Sequence, residues 1–190
     1  SLLGRDVAFG LNLDYAETSS SYNSFDTERI VFQPTLSFPV SENGRLSLNY
    51  TYDDLEMSER DDTTTGFVVA NDIAAGRQVT SSIGYNYSYD TRRAGLDPTS
   101  GVLLQFGQDF AGLGGDTKFV KTTAKAIGEK RIFNEEVTLR ATLQGGALAW
   151  SEGNNRVSDR FLIGPSIMRG FETGGIGPRD QSNGSDDSLA

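Results

Sequence analysis

The sequence predicts an all-β fold, about seven antiparallel strands followed by a long glycine-rich loop, with a transmembrane β-barrel favoured over a soluble sandwich. Three observations lead there. Apolar residues recur at every second position through most of the first 150 residues. No stretch of helical length shows helical periodicity; only "GFVVANDIAA", residues 66 to 75, could form a short helical turn inside a loop. The connections also alternate between long polar stretches and tighter turns, the layout of outer-membrane barrels.

The strands can be justified in order. Near 5–16, Val7, Phe9, Leu11, Leu13 and Tyr15 alternate with Ala8, Gly10, Asn12 and Asp14. Near 27–39, Ile30, Phe32, Pro34, Leu36 and Phe38 oppose Arg29, Val31, Gln33, Thr35 and Ser37, although Pro34 removes a ladder donor and belongs at an edge or bulge. Near 44–55, Leu46, Leu48, Tyr50 and Tyr52 oppose Ser47, Asn49, Thr51 and Asp53, and near 78–90 Ile83, Tyr85, Tyr87 and Tyr89 oppose Ser82, Gly84, Asn86 and Asp90. Near 101–111, Val102, Leu104 and Phe106 alternate with Leu103, Gln105 and Gly107. Near 117–129 the pattern is weaker, with Lys121, Thr123 and Lys125 on the polar side. Near 135–149, Val137, Leu139, Ala141 and Leu143 oppose Thr138, Arg140, Thr142 and Gln144.

Composition narrows the chemistry. With neither cysteine nor histidine, disulfides, His or Cys metal sites and histidine-based triads are excluded. A net charge of -9 argues against a nucleic-acid binder. No apolar run is long enough for a membrane helix, whereas barrel strands need only about 9 to 11 residues. The opening "SLLGRDVAFG" lacks the regions of a signal peptide, so the protein is expected either to be cytoplasmic or to have lost its beginning.

Charge weighs the barrel against the sandwich. An arginine or lysine facing lipid at the bilayer midplane costs about 2 to 4 kcal/mol. None of the apolar-face residues named above is charged, while Asp14, Arg29, Asp53, Asp90 and Arg140 lie on the other side, as a watery lumen allows. Tyr15, Tyr52 and Phe110 fall toward the long-loop rim and Phe38, Tyr87 and Tyr89 toward the other, the level amphipathic rings prefer. A sandwich core filled by the same aromatics is the alternative.

Residues 151–190 form the long terminal loop, and "FLIGPSIMRGFETGGIGPRD" carries its motif. Arg169, Gly170 and Phe171, with the lead-in "FLIGPSIMRGF" and the continuation "IGPRD", resemble the arginine-glycine-phenylalanine signature of the BamA family of outer-membrane assembly factors. "YSYDTRRAGLDPTSGVLLQFGQDFAGLGGD", residues 87 to 116, is similar to a strand-turn-strand segment of the family's barrel.

The resemblance covers essentially the whole chain. It implies a piece of a bacterial outer-membrane barrel, from about the fifth strand through the eleventh, ending within the sixth external loop. Periplasmic POTRA domains, the first and last strands and the lateral seam are expected elsewhere in the full protein. Seven strands alone would leave two open edges and should not fold stably as a monomer.

The implied function is insertion of β-barrel proteins into the outer membrane, without enzymatic chemistry or cofactor. Implied partners are unfolded outer-membrane clients, outer-membrane lipids and assembly-complex lipoproteins held mainly through the periplasmic domains, with no nucleic acid. The loop is expected to fold into the barrel, where Arg169 meets polar and acidic wall groups, Gly170 allows close approach and Phe171 anchors. Gly164, Gly177 and Pro178 support that loop.

Other readings compete at individual residues. Arg169 could be a solvated loop arginine, and Gly174, Gly175 and Gly177 could suggest a phosphate loop but lack its strand-to-helix setting and lysine. Asp90, Asp97, Pro98 and Gly101 read as a periplasmic turn. The acidic run at 58–62 could bind a divalent cation, although like charges usually stay solvated. At the level of the whole chain, a related POTRA-linked transporter, such as TamA or a two-partner secretion pore, shares the motif. A soluble β-sandwich adhesion or carbohydrate-binding module, and more distantly a hydrolase, complete the alternatives.

Overall fold

The structure, a computed structural model, describes residues 6–19, 24–60, 64–92, 100–134, 136–152, 156–157, 160–161, 164, 168–171 and 175–189. Seven strands form one antiparallel sheet in sequence order: β1 (Ala8–Ser19), β2 (Phe25–Pro39), β3 (Gly44–Glu59), β4 (Gln78–Asp90), β5 (Ser100–Ala111), β6 (Lys118–Ile132) and β7 (Val137–Glu152). A helix, α1 (Phe67–Ala74), interrupts the β3–β4 connection, and the terminal loop contains the minimal hairpin β8 (Arg179–Asp180) and β9 (Asp187–Ser188). The sheet does not close on itself, so β1 and β7 are its edges.

Several strands outrun their expected ends. The β1–β2 ladder continues through Glu17 opposite Glu28, Thr18 opposite Thr27 and Ser19 opposite Asp26, inside what reads as a polar connection. Strands β3, β6 and β7 likewise reach Glu59, Ile132 and Glu152 rather than residues 55, 129 and 149. Backbone donors and acceptors pair across a hairpin whatever the side chains are, so the ladder outlasts the apolar pattern.

Pro34 is accommodated without a bulge. The β2–β3 ladder omits Gln33 and Pro34 and resumes at Thr35 in unchanged register, while Leu11 stays paired with Pro34 on the β1 side. The Gln33 side chain donates to Thr51 Oγ1 at 2.9 Å and bridges the gap.

The two faces of the sheet differ in what they meet. On one, Phe9, Leu13 and Leu143 are 71, 69 and 76% exposed, and Ile83, Val102, Leu104, Phe106 and Leu139 are also bare. The opposite face carries its own polar partners: Arg29 with Asp53, Ser47 with Ser37 at 3.0 Å, Asn49 with Asp109 at 3.2 Å and Arg140 with Glu129 at 3.4 Å. Against this second face, at the long-loop rim, α1 packs in a small core of Phe25, Met57, Val69 and Val157, flanked by Ile73 and Leu189. The polar face is therefore the covered one, and the apolar face has no second sheet against it among the described residues.

Candidate functional site: a loop clasped onto a rim helix

Helix α1 begins without a cap of its own. Gly66 at the N-cap has no side chain to accept from the first turn, and that turn holds no acidic residue. The first amides of a helix are orphan donors that need acceptors. Here the terminal loop supplies them. Phe67 N donates to Ser182 Oγ at 2.7 Å, Val68 N to Asp180 Oδ2 at 2.7 Å, and Gly66 N to Asp187 Oδ2 at 3.3 Å.

Asp187 is the centre of this arrangement. It is 2% exposed and also accepts from Ser24 N at 2.6 Å and Ser24 Oγ at 2.7 Å, which joins the start of β2, the head of α1 and the loop. Burial pushes the Asp180 carboxyl upward, but hydrogen bonds from the Ser182 hydroxyl and amide and from the Val68 and Val69 amides outweigh it and hold it below its ordinary 3.8. The positive end of the helix favours such carboxylates. Gly66 makes the approach possible: a Cβ there would lie 2.2 Å from Asp180 Oδ2 and 2.7 Å from Ser185 Oγ.

The same loop holds the other end of the helix. Val157 N donates to Asp72 Oδ2 at 2.9 Å, and Arg156 Nη2 donates to the Gly76 carbonyl. Burial raises the Asp72 carboxyl, countered in part by the Val157 amide and the charges of Arg156 and Arg160. Arg156 is 2% exposed, and its Nε and Nη1 have no hydrogen-bond partner among the described residues.

Between the two grips in sequence, the loop also touches β6 and β7. Phe161 lies over Gly146 of β7, where a Cβ would come within 2.6 Å of its ring, and the Lys121 ammonium sits 4.9 Å from the ring centroid. Lys121 and Gly146 belong to the polar face, so this contact is made on the covered side.

The motif is carried on the segment between these grips. Arg169, Gly170 and Phe171 form an exposed turn in which Gly170 has φ +94°, a left-handed value that suits glycine. No hydrogen bond or ion pair joins Arg169 to another described residue. The Gly164 carbonyl accepts from Met168 N at 3.1 Å, Gly177 turns the chain at φ +117°, and the Pro178 carbonyl accepts from Leu189 N at 2.9 Å to close the β8–β9 hairpin.

At the other rim, Asp90 accepts from Arg92 N and Nε at 3.0 Å each and from Nη2 at 2.9 Å. Gly101 leaves room for Arg92, whose Cα would lie 2.5 Å from an added Cβ. Asp97 and Pro98 lie outside the described residues. In the acidic run at 58–62, Glu59 accepts from Thr65 and Arg60 pairs with Asp26 at 2.7 Å.

Arg156 and Asp187 lie outside the motif stretch at 161–180, while Phe161 and Asp180 stand at its two ends, where the motif assigns them no role. The one signal was Gly145–Gly146 in a regular strand, since strand glycine often marks close approach by another segment.

Hydrocarbon suits the bare face while the ion pairs stay wet on the other, so the sheet is wall material of a transmembrane β-barrel. The chain belongs to the Omp85 superfamily, whose domain matches residues 1–189. It is similar to the outer membrane protein assembly factor BamA of Neorickettsia risticii, 30% identical over 156 residues, or 82% of this chain and 20% of the relative. The BamA of Nitratidesulfovibrio vulgaris is 25% identical over 186 residues, 94% of this chain and 22% of the relative. The human sorting and assembly machinery component 50 homolog is 30% identical over 123 residues, 63% of this chain and 26% of the relative. The chain thus spans about a fifth to a quarter of the length of these curated relatives, and it is a membrane-embedded, BamA-like barrel segment.

Proposed function

We propose that this chain supplies part of the barrel wall and the bracing sixth external loop of a bacterial outer-membrane insertase, which folds and inserts β-barrel clients. The observation that carries the reading is the double grip on α1: residues 156–157 hold one end, residues 180–187 hold the other, and Arg169–Gly170–Phe171 is presented between them. In this reading the long-loop rim faces outward and the short turns, including Asp90 and Gly101, face the periplasm. The Arg169 guanidinium, a planar fork of donors, engages carboxylate or carbonyl groups of the lumen wall outside this chain, and Phe171 packs beside it.

The role is mechanical and electrostatic rather than enzymatic, with no cofactor and no bond broken. Client strands pair at an exposed strand edge elsewhere in the barrel, where backbone partners substitute for those that lipid lacks. The names of the bacterial and the animal relatives both refer to assembly, which favours assembling over exporting clients. Clients, lipids and lipoproteins bound through periplasmic domains are the partners this reading assigns.

The test is Arg169→Ala and Arg169→Lys in the full-length protein. Both should weaken heat-modifiable migration of the barrel and lower the levels of assembled clients, because lysine keeps the charge but not the fork. Wild-type behaviour of both variants would remove the bracing role.

A further inference from the structure

A groove runs along the outside of β6. Lys130, Gly128, Ala126 and Ala124 share the apolar face by alternation, so between Lys130 and Thr122 the strand presents only glycine and alanine there. Larger neighbours rise on both sides: Val102, Leu104 and Phe106 on β5, and Leu139 and Leu143 on β7. The hollow measures about 600 Å³ around Val102, Gly128, Lys130, Leu139 and Ala141. It continues in a second hollow of about 450 Å³ around Leu104, Phe106, Ala124, Ala126 and Leu143.

One end of the groove is cationic. Lys130 is exposed near the short-turn rim, opposite Ser100 and Leu139, and makes no ion pair among the described residues. The adjacent carboxylate, Glu129, points to the other face, where Arg140 lies 3.4 Å away and Arg92 3.9 Å away. A lysine on a lipid-facing strand keeps its ammonium at the interface, where the anionic groups are phosphates.

Length decides the occupant. Lys130 to Ala124 is six residues, about 20 Å of strand at about 3.3 Å per residue. At a tilt of about 40° that covers about 15 Å of depth, half of a hydrocarbon core about 30 Å thick. One leaflet and one acyl chain fit that span. We infer that this groove is a binding site for a glycerophospholipid, its phosphate held by Lys130 and one acyl chain laid along Gly128, Ala126 and Ala124.

The proposal requires the outer face to meet lipid but not the insertase activity, so either can fail alone. The test uses purified, delipidated full-length protein with Leu139→Trp as reporter, titrated with dibrominated phosphatidylglycerol. Saturable quenching is expected. Lys130→Gln should weaken the apparent affinity about fivefold, the contribution of one lysine at a lipid surface, while Lys130→Arg keeps it. Gly128→Leu should abolish the saturable phase with the charge intact. Should that variant fail to show heat-modifiable migration, Ala126→Leu, which fills the same floor one alternate position along β6, serves instead. Quenching that is linear and indifferent to both positions would overturn the site. So would quenching that falls with protein concentration while Gly128→Cys cross-links two copies, because a second copy would then fill the groove.

Discussion

The wall and the loop satisfy their backbones over different distances. Every strand of the wall pairs with its sequence neighbours, so each hairpin meets its own needs. The head of α1 instead depends on residues 112 to 121 positions away, and Asp187 reaches Ser24 across 163. Local pairing makes the wall tolerant of single changes. The clasp gathers many donors on two carboxylates and is correspondingly brittle.

The largest effect is expected at Asp187. Replacing it with alanine strips acceptors from Ser24 N, Ser24 Oγ and Gly66 N at a buried point, a loss of about 3 to 5 kcal/mol for the clasp when hydrogen bonds to a charged group are worth about 1.5 to 3 each and do not simply add. Hydrogen–deuterium exchange of full-length protein should show residues 64–75 and 178–189 losing protection together while β4–β6 keep theirs. If β4–β6 loosen equally, wall and loop are one cooperative unit and the contrast drawn between them is wrong.

That contrast also explains what could be read in advance. Period two exposed the wall because one face of every strand must suit hydrocarbon and the other water, and Ile30, Phe32 and Leu36 satisfy that condition residue by residue. The apolar face is less uniform than the pattern suggested. Gln108 lies on it between Tyr85, whose hydroxyl donates to it at 2.7 Å, and Thr122, to which it donates at 3.1 Å.

The helix at 67–74 was legible as a short helical turn, but its caps were not. Gly66 offers no cap, and "NGSDD" has the composition of a solvated loop, yet Asp187 within it is buried. Nothing local marks a carboxylate whose partners lie more than a hundred residues away. The family motif located Arg169, Gly170 and Phe171, while the grips that present them lie outside the motif triplet.

An intermediate effect is expected from acid, and it has two phases. Asp72 has its carboxyl raised by burial, so acidification through its folded value relieves a charge the fold disfavours and slightly stabilises the packed helix, although the Val157 amide and the Arg156 and Arg160 charges themselves favour the carboxylate. Asp180 is held below 3.8, so its contribution is fully present above 3.8 and is lost as pH falls through its folded value. Exchange at the Val68 and Val69 amides should therefore slow slightly and then rise once the pH drops below 3.8. Asp180→Asn should remove the second phase and leave the first. A single rise centred above 3.8 would show that other carboxyls govern the loop.

The smallest effect lies where the loop touches the wall. The Lys121 ammonium over the Phe161 ring contributes about 0.5 to 1 kcal/mol if partly exposed, as a ring 38% exposed suggests. Phe161→Leu removes the quadrupole and part of the contact with Gly146, whereas Lys121→Met removes only the cation. A double-mutant cycle, read by exchange at residues 156–161, separates the two. Coupling within that range makes Phe161 a pin that ties the loop to β6 and β7 independently of α1. Zero coupling, with Phe161→Leu still costly, would assign the whole contact to shape, because Gly146 leaves bare the space that the Phe161 ring occupies.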